Sequence, residues 1–459
     1  MTNYDVIIIG GGPAGSKCAA ALACSRKKVA VIEKDKIGGT CLNYGCIPSK
    51  SYLYTVELIE HIKKAKKFGL EVPDFTINWD EVKKRKDLNV KMLALGLKKN
   101  LESKGITIIE GEGFLQEGKT VLVKKNDGSE EILQAPNIIL SIGSKPLFLP
   151  FAQKSENVIS STEILDLATC PKSLVIVGGG IIGVEVACIF GGFGTEVTVI
   201  EKLDTLIPFV DREISDYLKK SLEKKNCKFY LKSELISAKD KDDCSEVVFK
   251  NESGEEITLQ ADKTLIAIGR SKVYDLENLE KLGIKNDGKR VILSDFLESS
   301  VEGVYMIGDS AMKNMTAYGG EKEGELVANH ILKQNPKKID YDQILVAIFS
   351  HPEVAEIGIN EFEANKRDLN IEVRKSEYST NGKALIMGDR EGMVKIILDK
   401  ETEKILGVSI IGAHATDLIH EALLAIRYNL TASDWLHNIV WAHPVLSEVI
   451  KSALENSKF

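Results

Sequence analysis

A pattern of about thirty residues occurs twice in this chain and restricts its fold more than any other feature. Residues 4–33, YDVIIIGGGPAGSKCAAALACSRKKVAVIE, run as a short apolar strand, a glycine turn, a helix of small residues, a second strand and a closing acid. Residues 173–201, SLVIVGGGIIGVEVACIFGGFGTEVTVIE, repeat that order. Each copy carries G-x-G-x-x-G: Gly10, Gly12 and Gly15 in the first, Gly178, Gly180 and Gly183 in the second. In such a turn the first glycine makes the bend, the second lets the backbone approach a pyrophosphate, and the third allows close helix–strand packing. The phosphates then meet free N–H groups at a helix N-terminus. Glycines alone are a weak signal, but framed by strand and helix in both copies they predict two dinucleotide-binding βαβ units. Glu33 and Glu201 close the second strands, where an acid bonds ribose hydroxyls. An acid there repels a 2′-phosphate, so Glu201 favours NAD over NADP, against which the neighbouring Lys202 weighs somewhat.

The rest of the chain sets limits. A length of 459 residues exceeds one ordinary core and predicts roughly three domains. Net charge is −7 with both signs interspersed, so no nucleic-acid surface is expected, and the lysines of residues 63–67 read as a solvated helix face. No apolar run approaches the ~18–20 residues of a spanning helix, and the N-terminus lacks the pattern of a secretory signal. A cytoplasmic protein without membrane contact is expected. Its eight cysteines are scattered, not packed into a disulfide framework.

Two of them, in TCLNYGCIPSK, demand a reading: Cys41 and Cys46 with Pro48 and Lys50 behind them. Residues five apart in a regular helix are too far apart for a disulfide, so a bond needs a break in the helix. Pro48 favours one, because its ring clashes with the Tyr44 carbonyl and it biases Ile47 away from helical geometry. A zinc site would need two further ligands at suitable spacing, which are lacking, so no metal is expected. Two free thiols remain an alternative on this segment alone. Position favours a redox relay, since the pair follows the first βαβ unit where the chain returns toward a dinucleotide. Lys50 then stands where a cation lowers a thiol's pKa.

Thiol–disulfide exchange proceeds through a thiolate and needs a proton acceptor. His443 is the candidate. Pro444 suits the first turn of a helix PVLSEVIKSALE, which puts Glu448 one turn inside and able to orient the imidazole. A surface capping histidine is the competing reading.

Six motifs in order, GGGPAG, GGTCLNYGCIPSK, GGGIIGVE, AIGR, YMIGDS and AHPVLSE, resemble those of the flavin-dependent pyridine nucleotide–disulfide oxidoreductases across essentially the whole chain. Leu42, Ile47, Ser49 and Leu446 are similar to the branch that oxidises dihydrolipoamide rather than to glutathione reductases. No cysteine pair ends the chain, unlike in mercuric reductases.

The resemblance implies an α/β fold: two Rossmann-like dinucleotide-binding domains plus a C-terminal α+β dimerisation domain. Expected boundaries are 1–148 for FAD, 149–271 for NAD, 272–342 completing the FAD domain, and 343–459 for dimerisation. It further implies that Cys41 exchanges with the dithiol, Cys46 faces the flavin, Lys50 and Glu185 lie near flavin and nicotinamide, and Asp309 bonds the ribityl chain. His443 and Glu448 would come from the second subunit of a homodimer.

For FAD the expected set is Gly10, Gly12, Gly15, Glu33, Gly39, Thr40, Lys50, Gly113, Gly143, Asp309, Thr316 and Ala317. For NAD it is Gly178, Gly180, Gly183, Glu185, Glu201 and Gly269. With the first fingerprint at Gly10 no lipoyl domain is expected ahead of it, so the lipoyl group would arrive on a partner, an acyltransferase (E2) or glycine-cleavage carrier. Trp441, Val445, Tyr318 and Ser271-Lys272 depart from the family's usual residues. The alternatives are an NAD(P)H-dependent reductase of another small disulfide and a weakly catalytic flavoprotein subunit.

Overall fold

A computed structural model describes residues 2–456. Two compact units emerge. One comprises residues up to Ser51, Glu81–Leu147 and Arg270–Ile339; the other comprises Tyr52–Asp80, Phe148–Gly269 and the chain from Asp340 onward. The helix Cys46–Lys64 starts in the first and ends in the second.

In the first unit, the strand Val6–Ile9 is buried at every position. Such a continuous apolar run suits a parallel strand covered on both faces. Ile8 packs with Cys18, Leu22 and Val327 on one face, whereas Ile7 and Ile9 pack with Val121, Val123 and Leu133 on the other. Burying each such side chain contributes roughly 1.5–3 kcal/mol. Val6–Ile9 pairs in parallel with Val29–Glu33 on one side and Asn137–Leu140 on the other. Beyond these lie Thr107–Gln116 and Val304–Met306, also parallel. Strand order therefore reverses at Val6–Ile9, and the carboxyl end of that strand is where an open α/β sheet takes its ligand.

The second unit repeats the plan. Ser173–Val177 lies between Glu196–Ile200 and Lys263–Ile266, all parallel. The helix Ile181–Phe193 follows its glycine turn as Pro13–Cys24 follows the first. The unit also holds a five-stranded antiparallel sheet in the order 346–348, 353–358, 405–412, 392–399, 371–377. Ala415–Arg427 and Glu448–Glu455 bury Ile419, Ala422, Ile450 and Leu454 in the same core as that sheet's Val394, Ile396 and Ile410.

Gly111 and Gly113 lie inside the ten-residue strand Thr107–Gln116. Gly111 is crowded by the facing Lys124–Lys125 backbone and Gly113 by Ile9 and Ile32, so close packing explains both glycines. The last helix begins at Glu448, not at Pro444. The Glu448 carboxylate accepts the Val445 N–H at 3.1 Å, closing a bend where a first helical turn was expected.

Candidate active site

The two glycine cradles are built alike. Gly10 has φ +106°, and a Cβ there would sit 2.0 Å from the Ser141 carbonyl oxygen; Gly178 has φ +110° and meets the Ala267 oxygen at 2.5 Å. An L side chain is excluded at both by conformation and by contact. A Cβ on Gly15 or Gly183 would strike the carbonyl of Gly10 or Gly178, at 2.1 and 2.0 Å. Gly12 and Gly180, by contrast, face open space. They are the N-caps of Pro13–Cys24 and Ile181–Phe193, and neither helix has a side-chain cap. Elsewhere Asp211, Thr316 and Asn360 cap their helices with side-chain oxygens. The two fingerprint helices thus keep their first N–H groups for a ligand, as a pyrophosphate requires.

Glu33 and Glu201 also match atom for atom. Glu33 accepts the Gly11 N–H at 2.7 Å and the Asp35 N–H at 2.9 Å. Glu201 accepts Gly179 N–H at 2.6 Å and Leu203 N–H at 2.7 Å. Each acid ties the end of its second strand to the middle of its glycine turn. Lys202 is drawn off to Glu234 at 2.7 Å, leaving Glu201 as the charge at that strand end.

On the flavin side, all twelve expected residues fall in the first unit. Gly39 approaches closely: its Cβ position is 2.8 Å from Gly12 Cα. Thr40 lies in the short helix Gly39–Tyr44. Asp309 accepts from Ser144 Oγ at 2.5 Å, while Arg270 donates to Ser144 Oγ at 2.6 Å and to the Ser144 carbonyl at 2.9 Å. Gly143 precedes that serine in a left-handed conformation. Glu323, fully buried, accepts Gly308 N–H at 2.6 Å and so fixes the turn bearing Asp309. Thr316 caps the helix that begins at Ala317, and that helix packs on Pro13–Cys24. Gly113 lies in the strand Thr107–Gln116, where a Cβ would meet Ile9 and Ile32.

Sequence reasoning passed over Ser144, Glu323 and Asn43. Asn43 is nearly buried; its amide donates to the Ile37 and Gly39 carbonyls, and its Oδ1 has no partner among the described residues. A buried acceptor left open beside the cradle fits a missing donor group. Its place between two cysteines was the available signal. An uncapped helix, an open glycine and an orphaned acceptor together fit a bound dinucleotide in the first unit; the uncapped helix and Gly180 fit one in the second.

The cysteines form a disulfide with Cα atoms 4.8 Å apart. Cys41 belongs to Gly39–Tyr44, Cys46 opens Cys46–Lys64, and Gly45, with φ −140° and ψ −102°, breaks the helix between them. Pro48 is tolerated because it lies in the first turn of the second helix. Lys50 follows one turn after Cys46. The other six cysteines are free.

In the second unit, His443 and Glu448 meet as expected: Nδ1 lies 3.0 and 3.2 Å from the two carboxylate oxygens. The hydrogen bond from His443 holds the Glu448 carboxyl below its ordinary range. That contact assigns the proton to Nδ1 and leaves Nε2 outward on a side chain that is 76% exposed. Glu185, buried on Ile181–Phe193, accepts Phe349 N–H at 3.1 Å. Gly269 has φ +127° and open space where a Cβ would stand. Trp441 donates its indole N–H to the Leu436 carbonyl at 3.3 Å.

Comparison with known proteins accords with this geometry. A dihydrolipoyl dehydrogenase of Bacillus subtilis is 35% identical over 98% of this chain and 97% of its own length. A mitochondrial one of Arabidopsis thaliana is 36% identical over 98% of this chain and 89% of its own. Among solved structures, an HOCl-induced flavoprotein disulfide reductase of Escherichia coli is 25% identical, with a TM-score of 0.88 over 99% of both chains. LpdA of Mycobacterium tuberculosis, 24% identical, shares the fold at a TM-score of 0.91, with 99% of both chains covered. The family described as pyridine nucleotide-disulphide oxidoreductase matches residues 4–324 and its dimerisation domain residues 344–454, and the chain belongs to that family.

Proposed function

We propose that the protein oxidises protein-bound dihydrolipoamide to lipoamide, with FAD and NAD+ as cofactors. The observation that carries this reading is the Cys41–Cys46 disulfide, built across a helix break in the unit that holds the first cradle. A substrate thiolate attacks Cys41 Sγ, the S–S bond breaks, and Cys46 leaves as thiolate. The second substrate thiol then displaces Cys41, releasing lipoamide and leaving two reduced cysteines. FAD, when bound, supplies the path by which these two electrons reach NAD+. His443 Nε2 takes the substrate's proton, and Glu448 steadies the resulting imidazolium through Nδ1.

The chain carries the family's dimerisation domain. We assign the His443–Glu448 dyad to the cysteine site of the second copy in a homodimer, so that each site is completed by two chains. The lipoyl group is brought by an acyltransferase (E2) or a glycine-cleavage carrier. Among the described residues no helix is long and apolar enough to cross a membrane. Six free thiols suit a reducing compartment, and we place the protein in the cytoplasm.

Cys46→Ser tests the reading: FAD should remain bound while dihydrolipoamide–NAD+ turnover is lost. A purified wild-type protein that reduces glutathione disulfide with NADPH and leaves dihydrolipoamide untouched overturns it.

A further inference from the structure

Glu185 is held by a segment that is itself held from behind. Phe349, whose N–H reaches the Glu185 carboxylate at 3.1 Å, opens the irregular stretch 349–352 between the strands Val346–Ile348 and Glu353–Gly358. Ser350 Oγ closes it internally by donating to the Pro352 carbonyl at 2.6 Å. Two residues after Phe349, the His351 carbonyl accepts from Lys225 Nζ at 2.9 Å.

Lys225 is an unusual pin. Its ammonium is partly buried, and burial lowers its pKa. Among the described residues it makes no ion pair: Glu60 and Glu391 act on it only at longer range, and their close partners are Lys63 and Lys224. The His351 imidazole, pushed down to about 4 by burial, is neutral near pH 7 and brings no second cation. A desolvated ammonium directed at a neutral carbonyl costs free energy, and what it obtains locally is a fixed peptide.

We propose that Lys225 is a positioning residue for the nicotinamide half of the site: by pinning the His351 carbonyl it fixes the Phe349 N–H and hence the Glu185 carboxylate. This rests on the assignment of Glu185 to the nicotinamide side. It predicts an effect confined to one half-reaction, because the cysteine exchange makes no use of Glu185.

The test separates the halves by anaerobic stopped-flow with holoenzyme. Lys225→Met should slow reoxidation of the reduced enzyme by NAD+ about tenfold, as a small displacement of a positioned group does, and leave reduction by dihydrolipoamide unchanged. Lys225→Arg, which keeps a cationic donor, should restore reoxidation. In a Glu185→Gln background Lys225→Met should add nothing, since a residue acting through another shows no independent effect once that one is altered. Hydrogen–deuterium exchange of residues 345–354, read without turnover, should quicken in Lys225→Met and recover in Lys225→Arg. Both half-reactions falling together with the melting temperature, or unchanged exchange, overturns the pin. Glu185→Gln leaving reoxidation intact overturns the assignment of Glu185 instead, and the exchange measurement still reports on the hydrogen-bond chain.

Discussion

Gly178 shows how much one missing side chain decides. Its φ of +110° and the 2.5 Å approach to the Ala267 oxygen leave no place for a methyl group. Forcing one in costs about 1–3 kcal/mol of local strain and displaces the N–H groups that receive a pyrophosphate. Gly178→Ala is therefore expected to weaken NADH binding, measured by calorimetry, while the FAD content of the purified protein stays at the wild-type level. Loss of FAD along with NADH would mean that the second cradle does not act alone. Glu448 is spent differently. Its carboxylate serves both the Val445 N–H and His443, so it shapes the bend and orients the base at once.

At the scale of elements, what could be read from the sequence was what is local. The strand–glycine–helix–strand units announce themselves through apolar runs, the spacing of their glycines and a closing acid within thirty residues. The helix break between the cysteines was expected from Pro48, but it lies at Gly45, and Ile47 and Pro48 belong to the first turn of the following helix, where proline is tolerated. The start of the last helix was misplaced because proline at a first helical position is a common pattern, whereas here a side chain five residues beyond His443 captures the bend. Contacts across long separations leave no local signature. Lys225 and His351 are 126 positions apart, and Asp211 and Glu356 are 145 apart.

The second of those contacts carries a pH prediction. Glu356, in the strand Glu353–Gly358, accepts the Asp211 N–H at 2.8 Å, Ser409 Oγ at 2.7 Å and Asn360 Nδ2 at 3.0 Å. Burial nonetheless pushes its pKa up to about 7, with the Asp211 carboxylate adding to the effect and Lys395 committed to Asp211 at 2.8 Å. An unfolded glutamate releases its proton near about 4.3. Between those values the folded state binds more protons than the unfolded one, so this group's contribution to stability falls as pH rises through the window. Glu356→Gln should flatten that slope in denaturant unfolding series from pH 4.5 to 7. An unaltered slope would show that Glu356 ionises at an ordinary pKa.

For the whole molecule, the division of groups between units bears on the dimer. The disulfide belongs to one unit and the His443–Glu448 dyad to the other, with His443 exposed. If each site takes its dyad from the second copy, a Cys46→Ser chain and a His443→Ala chain, both inactive alone, complement one another when co-expressed. Random pairing then yields one competent site in each mixed dimer, or about a quarter of wild-type turnover. Activity no greater than that of the separate variants would place the dyad and the disulfide of one chain in the same site.

The matched cradles have one more use. Gly15 and Gly183 meet the carbonyls of Gly10 and Gly178 at 2.1 and 2.0 Å, and Glu33 and Glu201 bind their turns through corresponding atoms. The chain therefore contains its own internal standard. The same substitution can be made at either of two positions with closely similar backbone environments, inside one polypeptide and one preparation. A difference between the two outcomes that exceeds the small differences in packing around the turns is owed to the ligand each cradle serves.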